Sequence, residues 1–453
     1  MLNIEACGIA GLRRGMSRRD FIKAGTLALT GLSMVDLARL LAQGQGEGGK
    51  ARSVIQLWMN GGPPHLDTFD PKPAAGEDYC GPYRKPIETN VKGIQLCETM
   101  PMMARQADKF SILRGMTHSN NGHETAAYIM QTGTLSTGDL VYPTVGAVVA
   151  YKRQEQGPGA SAGGLPPYMM LSSPLGRFSE AGFLGNRYTP FATGGDPNSK
   201  DFRVNGLVPP PGMTNERIGD RRGLLEEIDS LKSQMDKDGA MQQMDSFQQK
   251  AYGLILGEAR KAFDLTQEKD EVRERYGRTT FGQSCLLARR LVENGVPFIT
   301  INWGGWDTHK QHFERMAEML PNLDKAFSAL LEDLAQRGLL DSTIVVWTGE
   351  FGRTPKIAKE PPWMGGRHHF AQAFCAVVAG GGFKGGKVVG ATDRTGEKVA
   401  DRPIYPWDLS ASIYKLMGID PNGKLPHPQG RVVYVTPPAS AEITKGGMLT
   451  EIM

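Results

Sequence analysis

Histidine is concentrated in four short segments of this sequence, and each of them contains glycine. Seven of the eight histidines lie in residues 60–70, 117–124, 304–312 and 365–370. Histidine and carboxylate side chains are the usual ligands of divalent cations, and backbone that crowds around an ion needs glycine at the points of closest approach. The pattern predicts a metal site assembled from distant loops. The alternative is a set of ordinary polar residues at loop tips.

Short apolar runs lead into three of these segments, and another follows the fourth. Such runs predict buried strands that deliver their loops to a site, because open α/β sheets bind ligands at the carboxyl ends of their strands. Helical patterns lie between them, including an amphipathic stripe in which Pro321 predicts a kink or a new helical segment. The alternation predicts an α/β fold with a mostly parallel central sheet sandwiched by helices. The predicted strands cover residues 54–59, 110–113, 297–303, 344–347 and 374–378, and the predicted helices cover residues 100–109, 124–131, 283–294 and 313–334.

The first 44 residues have the features of an export signal. The sequence S-R-R-D-F-I-K at residues 17–23, followed by a weakly apolar run at 24–35, resembles a twin-arginine signal. The run is about 12 residues long, short of the ~20 that a membrane-spanning helix needs, so no transmembrane anchor is expected. We predict transport by the twin-arginine export machinery to the periplasm or another extracytoplasmic compartment, with a cleaved or retained leader. The alternative is a basic amphipathic helix.

Composition narrows the function classes. Six basic and three acidic residues lie in the first 44, so most of the net charge of +4 belongs to the leader. The rest of the chain is nearly neutral and lacks the excess of basic residues typical of nucleic-acid-binding proteins, so no nucleic-acid partner is expected. Five cysteines are too few for a disulfide scaffold, although a Cys80–Cys97 disulfide is conceivable outside the cytoplasm.

Two internal segments differ from the rest of the chain. From residue 157 to 212, 20 of 56 residues are Gly or Pro, and we interpret this stretch as an ordered flap over the domain. Residues 215–276 are strongly charged with helical character, which indicates an inserted helical arm or, alternatively, surface helices without a function. Together with a main domain at 52–435 and a tail at 436–453, these segments complete the predicted organisation.

Several motifs support a family resemblance. The motifs G-G-P-P-H-L-D-T-F-D-P-K-P, G-F-L-G-N-R-Y-T-P-F, R-Y-G-R-T-T-F-G-Q-S, G-G-W-D-T-H, E-F-G-R-T-P and A-G-G-G-F-K-G-G occur in this order. Together they resemble the sulfatase-like secreted family called domain of unknown function 1501, over about residues 52–435. The strand end T-G-E-F-G at 348–352 also resembles the T-S-D-H-G pattern of the alkaline phosphatase superfamily.

The resemblance implies an alkaline phosphatase-like fold and metal-assisted hydrolysis of phosphate or sulfate esters, with a small molecule or a polysaccharide as substrate. It implies one or two divalent ions, Zn, Mn or Ca. Counting back nine residues from Thr132-Gly133, the spacing of the sulfatase helix, places the nucleophile position at His123, which is not a usual ester nucleophile and is interpreted as a ligand. Thr117 and Ser119, just upstream, are the candidate nucleophiles if the loop carries an insertion. The motifs map further ligands onto Asp307, His309, Glu350 and His369, with His65, Asp67 and Asn60 from the first strand.

The sequence departs from the superfamily pattern at three positions. Phe351 stands where a histidine ligand is usual, Glu350 where aspartate is usual, and His368 where the family commonly has aspartate. The first departure indicates the loss of one metal position, and the last exchanges an oxygen donor for nitrogen. Two alternatives therefore stay open: a non-catalytic carbohydrate- or anion-binding protein, and a structural or assembly protein of the cell envelope.

Some conspicuous residues are expected to have no catalytic role. Cys80-Gly81-Pro82-Tyr83-Arg84 fits the pattern that sulfatases oxidise to formylglycine, but it precedes Lys85-Pro86 rather than a helix that ends in T-G. We expect His312 to begin a helix and His427 to lie in a loop. Trp303 and Trp306 are expected to pack in the wall of the site, and the alternative is a platform on which a sugar stacks.

Overall fold

The computed structural model describes residues 49–136, 140–155, 165–171, 180–204 and 258–453. The predicted signal segment of residues 1–44 lies outside the described residues. The same holds for residues 157–164, 172–179 and 205–212 of the predicted flap and for residues 215–257 of the predicted helical arm.

The centre of the fold is one eight-stranded sheet. Its strands are β1 (Ser53–Met59), β2 (Phe110–Met116), β3 (Tyr168–Leu171), β4 (Phe191–Ala192), β5 (Phe298–Trp303), β6 (Thr343–Thr348), β7 (Phe374–Ala379) and β8 (Lys387–Val389). Their order in the sheet is β8-β2-β7-β6-β1-β5-β3-β4, and every neighbouring pair is parallel except the two pairs made by β7. The predicted mostly parallel sheet is therefore confirmed.

The central strands are buried on both faces. All seven residues of β1 are buried, and they alternate between two hydrophobic cores. Ile55 and Leu57 face one core with the helices of residues 280–336, and Val54 and Trp58 face the other. A strand covered on both sides has no solvent face, which explains why its sequence is apolar apart from Ser53 and Gln56, whose buried side chains are hydrogen-bonded.

Helices cover both faces of the sheet. The helices are α1 (Glu77–Cys80), α2 (Pro101–Ala104), α3 (His123–Thr132), α4 (Val145–Glu155), α5 (Asp270–Tyr276), α6 (Thr280–Glu293), α7 (His312–Gln336) and α8 (Pro406–Leu416). The helix predicted over 100–109 is wrong in extent, because α2 is followed by a separate 3-10 turn, Ala107–Lys109. The stripe at 313–334 is confirmed as α7, which continues through Pro321 without starting a new segment. No helix in the described part of the chain is long and apolar enough to span a bilayer.

The predicted flap and tail both contribute to the main body. Strands β3 and β4 lie within the Gly/Pro-rich segment, so its described part adds to the sheet. In the tail, Leu449 is fully buried, and Asp408 accepts hydrogen bonds from the amides of Gly446 and Gly447. Four two-stranded pairs complete the structure: Ile87–Glu88 with Gln95–Leu96, Gly352–Arg353 with His369–Phe370, Ala391–Thr392 with Val399–Asp401, and Lys424–Leu425 with Val433–Tyr434.

The conceivable Cys80–Cys97 disulfide is absent. All four cysteines in the described residues are free and buried. The Cys80 thiol donates a hydrogen bond to the carbonyl of Lys72 at 2.8 Å, and Cys97 accepts one from the Thr99 hydroxyl at 3.3 Å. Burial raises the pKa of Cys97 to about 12, which keeps this thiol protonated and unreactive.

Asp324 gives the fold a testable pH dependence. Its two carboxylate oxygens accept hydrogen bonds from the amides of Met102 and Met103 at the start of α2, and burial raises its pKa to about 6 from an ordinary 3.8. The folded chain thus binds more protons than the unfolded chain between pH 4 and 6, and its stability falls as pH rises through this window. In urea unfolding, we expect the free energy of unfolding of the parent, relative to that of Asp324→Asn, to fall by about 1–3 kcal/mol from pH 4 to pH 7. A relative stability that does not change with pH would contradict this assignment.

Candidate metal centre

The candidate site lies where β1, β5 and β6 end. These three strands are adjacent and parallel, and the register pairs Met59 with Trp303 and Trp58 with Thr348. Their carboxyl ends therefore lie side by side, and the segments that follow them meet. These segments carry Gly61, Asp307 and Glu350.

Glycine permits the close approach of these segments. A β-carbon on Gly61, which has a φ of 116°, would lie 2.3 Å from the amide nitrogen of Asp307. A β-carbon on Gly366 would lie 1.7 Å from the carbonyl oxygen of His309. No side chain fits at such distances, so glycine is needed here for backbone contact, as the sequence predicts.

Three imidazoles and one carboxylate converge at this point. Ligand atoms of His123, Asp307 and His369 all lie within 4.8 Å of one another. His123 Nε2 is 3.2 Å from Asp307 Oδ2, and His369 Nε2 is 3.1 Å from Asp307 Oδ1. His309 Nε2 is also 3.1 Å from Asp307 Oδ1 and 2.9 Å from His369 Nε2. The sequence-predicted residues of three different loops thus form one cluster.

The outer nitrogens of two of these rings have oxygen partners. His369 Nδ1 donates to the carbonyl oxygen of Asn121 at 2.7 Å, and His123 Nδ1 donates to Glu350 Oε1 at 2.6 Å. In the neutral rings, the lone pairs are then on Nε2 and directed at the centre. Metal-binding histidines are held in this way by an acceptor behind the ring.

Glu350 lies behind His123 rather than among the converging atoms. Its Oε1 accepts from the amide of Gly61 at 2.8 Å as well as from His123. Its Oε2 is buried and has no hydrogen-bond partner among the described residues. A buried carboxylate oxygen without a donor is costly unless a cation or water lies beside it.

The electrostatics of the cluster favour a positive charge. Hydrogen bonds to Asp307 and Glu350 raise the pKa of His123 to about 9. Burial opposes ionisation of Asp307, but hydrogen bonds from His123, His369 and Arg353 hold its pKa well below the usual range. Burial lowers the pKa of His309. The negative field that favours imidazolium at His123 equally favours a divalent cation in place of that proton.

Arg353 is the main residue that the sequence analysis did not assign. Its buried guanidinium contacts Asp307 Oδ1 at 2.5 Å and donates to the carbonyl of Gly62 at 3.1 Å. It also pairs with His369 in the short ladder beside the site. The signal was present in the motif E-F-G-R-T-P directly after β6, which contributes Arg353 as well as Glu350.

Two residues before α3 were also missed. His118 donates from Nε2 to the carbonyl of Glu350 at 2.7 Å and accepts at Nδ1 from the amide of Asn120. Burial lowers its pKa to about 4, so the ring is neutral. Asn121 orients His369 through its backbone carbonyl and accepts from the amide of Ala371 through its side chain. No side-chain pattern could reveal a role that belongs to a backbone carbonyl.

Phe351 packs against the imidazoles. Its ring is stacked on His369, with centroids 4.6 Å apart and 26° between planes, and lies 5.0 Å from the ring of His123. Where the superfamily pattern has a histidine ligand, this chain therefore has an apolar wall that fixes two neighbouring rings.

The structure places His65 and Asp67 in other contacts. His65 is buried, with Nε2 2.9 Å from the carbonyl oxygen of Gly396. Asp67 forms a buried ion pair with Arg367 and accepts a hydrogen bond from His312 Nε2 at 2.8 Å. Neither is part of the converging group found among the described residues.

The remaining predicted residues lie in the segments that carry the cluster or adjoin it. Thr117 is half-buried and Ser119 is exposed, both between β2 and α3, while the Asn60 side chain is exposed. His368 Nδ1 lies 2.9 Å from His309 Nδ1. The two tryptophans pack as expected: Trp303 stacks on Phe281 with centroids 4.0 Å apart, and Trp306 is buried. His312 begins α7, as predicted.

The cluster fits a small transition-metal ion. In a tetrahedral zinc site, metal–nitrogen distances of 2.0–2.1 Å separate the ligand atoms by about 3.3 Å. The four printed contacts among these atoms measure 2.9–3.2 Å, with His123 at Oδ2 of Asp307 and the other two rings at Oδ1. Only His123, Asp307 and His369 have ligand atoms that all lie within 4.8 Å of one another, so His309 is the outermost of the four. Three imidazole nitrogens and one carboxylate oxygen suit zinc, and manganese less well. Calcium prefers a shell of oxygen ligands and fits this set poorly.

Glu350→Gln tests the carboxylate behind His123. Glutamine keeps an oxygen that can accept from Gly61 and His123 but removes the negative charge that strengthens the ring as a ligand. We expect the affinity for zinc to fall about 10–100-fold with the fold intact. Competition with a chelating dye measures the affinity, and Glu360→Gln, at an exposed position, serves as the control. Equal affinities for parent and Glu350→Gln would exclude this role.

Solved structures similar to this chain include sulfatases and phosphatases. One is the lipoteichoic acid synthase LtaP from Listeria monocytogenes, with 8% identity, coverage of 86% of this chain and 75% of that one, and a TM-score of 0.38. The PsFucS1 sulfatase from Pseudoalteromonas sp. has 12% identity, coverage of 84% and 70%, and a TM-score of 0.35. The alkaline phosphatase from the Antarctic bacterium TAB5 has 11% identity, coverage of 83% and 100%, and a TM-score of 0.35. Similarities this distant carry no activity to this chain.

The family is identified by the sequence itself. No curated protein matches the chain. The sequence model of one family, described as a protein of unknown function, matches residues 51–446 and so spans the sheet, the candidate centre and most of the tail. The resemblance drawn from the motifs is confirmed, and this chain belongs to the family DUF1501.

Proposed function

We propose that this protein is a metal-dependent hydrolase of phosphate or sulfate esters. The observation that carries the proposal is the convergence of Nε2 of His123, His309 and His369 on the carboxylate of Asp307, with an oxygen acceptor behind two of the rings. These side chains lie at the carboxyl ends of parallel strands, the usual location of ligand sites in α/β sheets.

Each residue has a distinct part in this proposal. His123, His309, His369 and Asp307 hold the cation, which supplies Lewis acidity toward an ester oxygen. Glu350 and the Asn121 carbonyl fix the orientation of their histidines. Arg353 fixes Asp307 and keeps a positive charge beside the site, where it favours an anionic substrate.

The attacking group comes from the segment before α3. Ser119 and Thr117 precede His123 by four and six residues, and they are the hydroxyl candidates. Ser119 is exposed and open to substrate, whereas Thr117 is half-buried, so we favour Ser119. A hydroxyl near a bound cation and an imidazole can be activated as a nucleophile.

Phe351 supports a second candidate function, a non-catalytic anion- or carbohydrate-binding protein. The phenylalanine occupies a position where the superfamily pattern has a histidine ligand and packs on His369. A centre with one metal position could bind an anion without turning it over.

Metal content and turnover, measured on the same samples, test the proposal. The parent, His309→Ala, His369→Ala and the loop control His427→Ala are purified, analysed for zinc, manganese and calcium, and assayed with aryl phosphate and aryl sulfate. The hydrolase proposal requires near-stoichiometric metal and turnover in the parent and in His427→Ala, and loss of both in the two site variants. Metal without turnover favours the binding protein. A parent without affinity for metal overturns both.

We also propose that the protein is exported by the twin-arginine pathway. The support is the S-R-R-D-F-I-K sequence and the short apolar run after it. Replacing Arg18 and Arg19 by lysine should retain the protein in the cytosol, as cell fractionation would reveal. Export of that variant at the parental level would refute the proposal.

A further inference from the structure

A short apolar lip lies beside the candidate centre. It consists of Trp363 and Met364, in the loop between the two strands of the ladder Gly352–Arg353 and His369–Phe370. The Trp363 ring lies 4.6 Å from the ring of His368, edge to face, and 5.8 Å from the ring of His309. The indole is thus next to one of the converging histidines.

Met364 is unusual in both exposure and backbone. It is the most exposed large apolar side chain in the described residues, at 66%. Its φ is 47°, in the left-handed region, where glycine or asparagine costs less. A strained residue with an exposed apolar side chain lowers stability and solubility, and such features concentrate at functional sites.

Backbone hydrogen bonds hold the lip in place. The amides of Trp363 and Met364 both donate to the carbonyl of Glu360, at 2.9 and 3.3 Å, and the amide of Gly365 donates to the carbonyl of Ala358 at 2.8 Å. The backbone of both residues is therefore held in place, with the Trp363 ring against the rings of His309 and His368 and Met364 next to it in the chain.

We propose that Trp363 and Met364 bind the organic part of the substrate and that this part is a ring. The inference rests on the proposed function, because it needs the anionic group of an ester at the metal centre. An indole offers a broad flat surface, and a methionine thioether adapts to the edge of a ring. A small alkyl ester would leave both side chains in water. An aromatic ring and a sugar ring share this chemistry.

Binding of non-hydrolysable ligands to the zinc-loaded protein tests the proposal without requiring turnover. Calorimetry compares inorganic phosphate, inorganic sulfate, methylphosphonate, phenylphosphonate and a C-glucosyl phosphonate, in which carbon replaces the ester oxygen. We expect at least one ring-bearing ligand to bind the parent about tenfold more tightly than methylphosphonate. Trp363→Ala and Met364→Asn should reduce this ratio to about threefold or less and leave inorganic phosphate unchanged. The ring ligand that depends on Trp363 identifies the ring as aromatic or sugar.

Two readouts separate binding from folding. Met364→Asn should be at least as stable as the parent, because asparagine tolerates the left-handed conformation. Val432→Asn removes a side chain that is 61% exposed in another loop, and it should keep the parental ratio. Equal ratios in the parent, Trp363→Ala and Met364→Asn would overturn the inference and leave the hydrolase proposal standing. If neither inorganic phosphate nor inorganic sulfate binds the zinc-loaded parent, the proposed function and this inference both fail.

Discussion

Replacing Asp67 by alanine is expected to lower the free energy of unfolding by about 3–5 kcal/mol, in protein from which all metal has been removed. Asp67 and Arg367 are each about 1% exposed, with Arg367 Nε 2.9 Å from Asp67 Oδ2 and Nη2 donating to Oδ1 at 3.0 Å. His312 Nε2 donates to the same carboxylate at 2.8 Å. Alanine would leave a buried guanidinium without its counter-charge, which is the costly way to break such a pair.

The metal-free condition distinguishes two roles for Asp67. A metal ligand would contribute little to the apo-protein, whereas a buried ion-pair partner stabilises it. Urea unfolding of the chelator-treated parent and Asp67→Ala gives the difference directly. Asp78→Ala, which removes an exposed partner of Lys359, is the control and should leave stability unchanged. Unchanged stability of apo Asp67→Ala would instead favour the ligand role that the motif suggests.

A double variant extends the test. The combination Asp67→Leu with Arg367→Met removes both charges and keeps apolar volume, so it should be less destabilised than Asp67→Leu alone. Because Arg367 immediately precedes His368 and His369, loosening of the pair should also weaken zinc binding in Asp67→Ala. A double variant as unstable as the sum of its parts would mean that the two charges do not interact.

Local sequence patterns predicted the strands and the residues near their ends. The apolar run before Asn60 and the run before Thr348 became β1 and β6, because burial on both faces leaves a mostly apolar sequence. Asp307, His309 and His369 could be anticipated because they lie in two of the four segments that combine glycine with histidine, and because the family motifs map ligands onto them. The antiparallel direction of β7 could not be predicted, because an apolar run has the same pattern whichever way the strand is oriented in the sheet.

The roles of Asp67 and Glu350 illustrate why the site was only partly predictable. A buried carboxylate can bind a cation or pair with an arginine, and residue type alone does not decide between them. The partner of Asp67 is Arg367, which is 300 positions away, and this contact exists only in the folded chain. Glu350 was predicted as a direct ligand, and the structure places it behind His123, in contact with the Gly61 amide.

Glycine indicated the close backbone contacts of the site more reliably than the carboxylates indicated its ligands. Gly366→Ala is the second variant with a large expected effect. A β-carbon at this position would overlap the His309 carbonyl oxygen at 1.7 Å and its carbon at 2.3 Å. Neither atom belongs to a flexible side chain, so the segment that carries His309 must move away from the one that carries His369. We expect a loss of at least about 1–3 kcal/mol in stability and at least a tenfold loss of zinc affinity.

Gly304→Ala is the matched control for this variant. Gly304 lies in the loop before Asp307 and is exposed, and a β-carbon added there would meet no other atom within 4 Å. The same chemical change should therefore leave both zinc affinity and stability near the parental values. If Gly366→Ala bound zinc as tightly as Gly304→Ala, the spacing of His309 and His369 would not matter for the ion, and the centre would have to be sought without His309. If both affinity and stability fall only in Gly366→Ala, close backbone contact between two loops is what sets the ligand geometry.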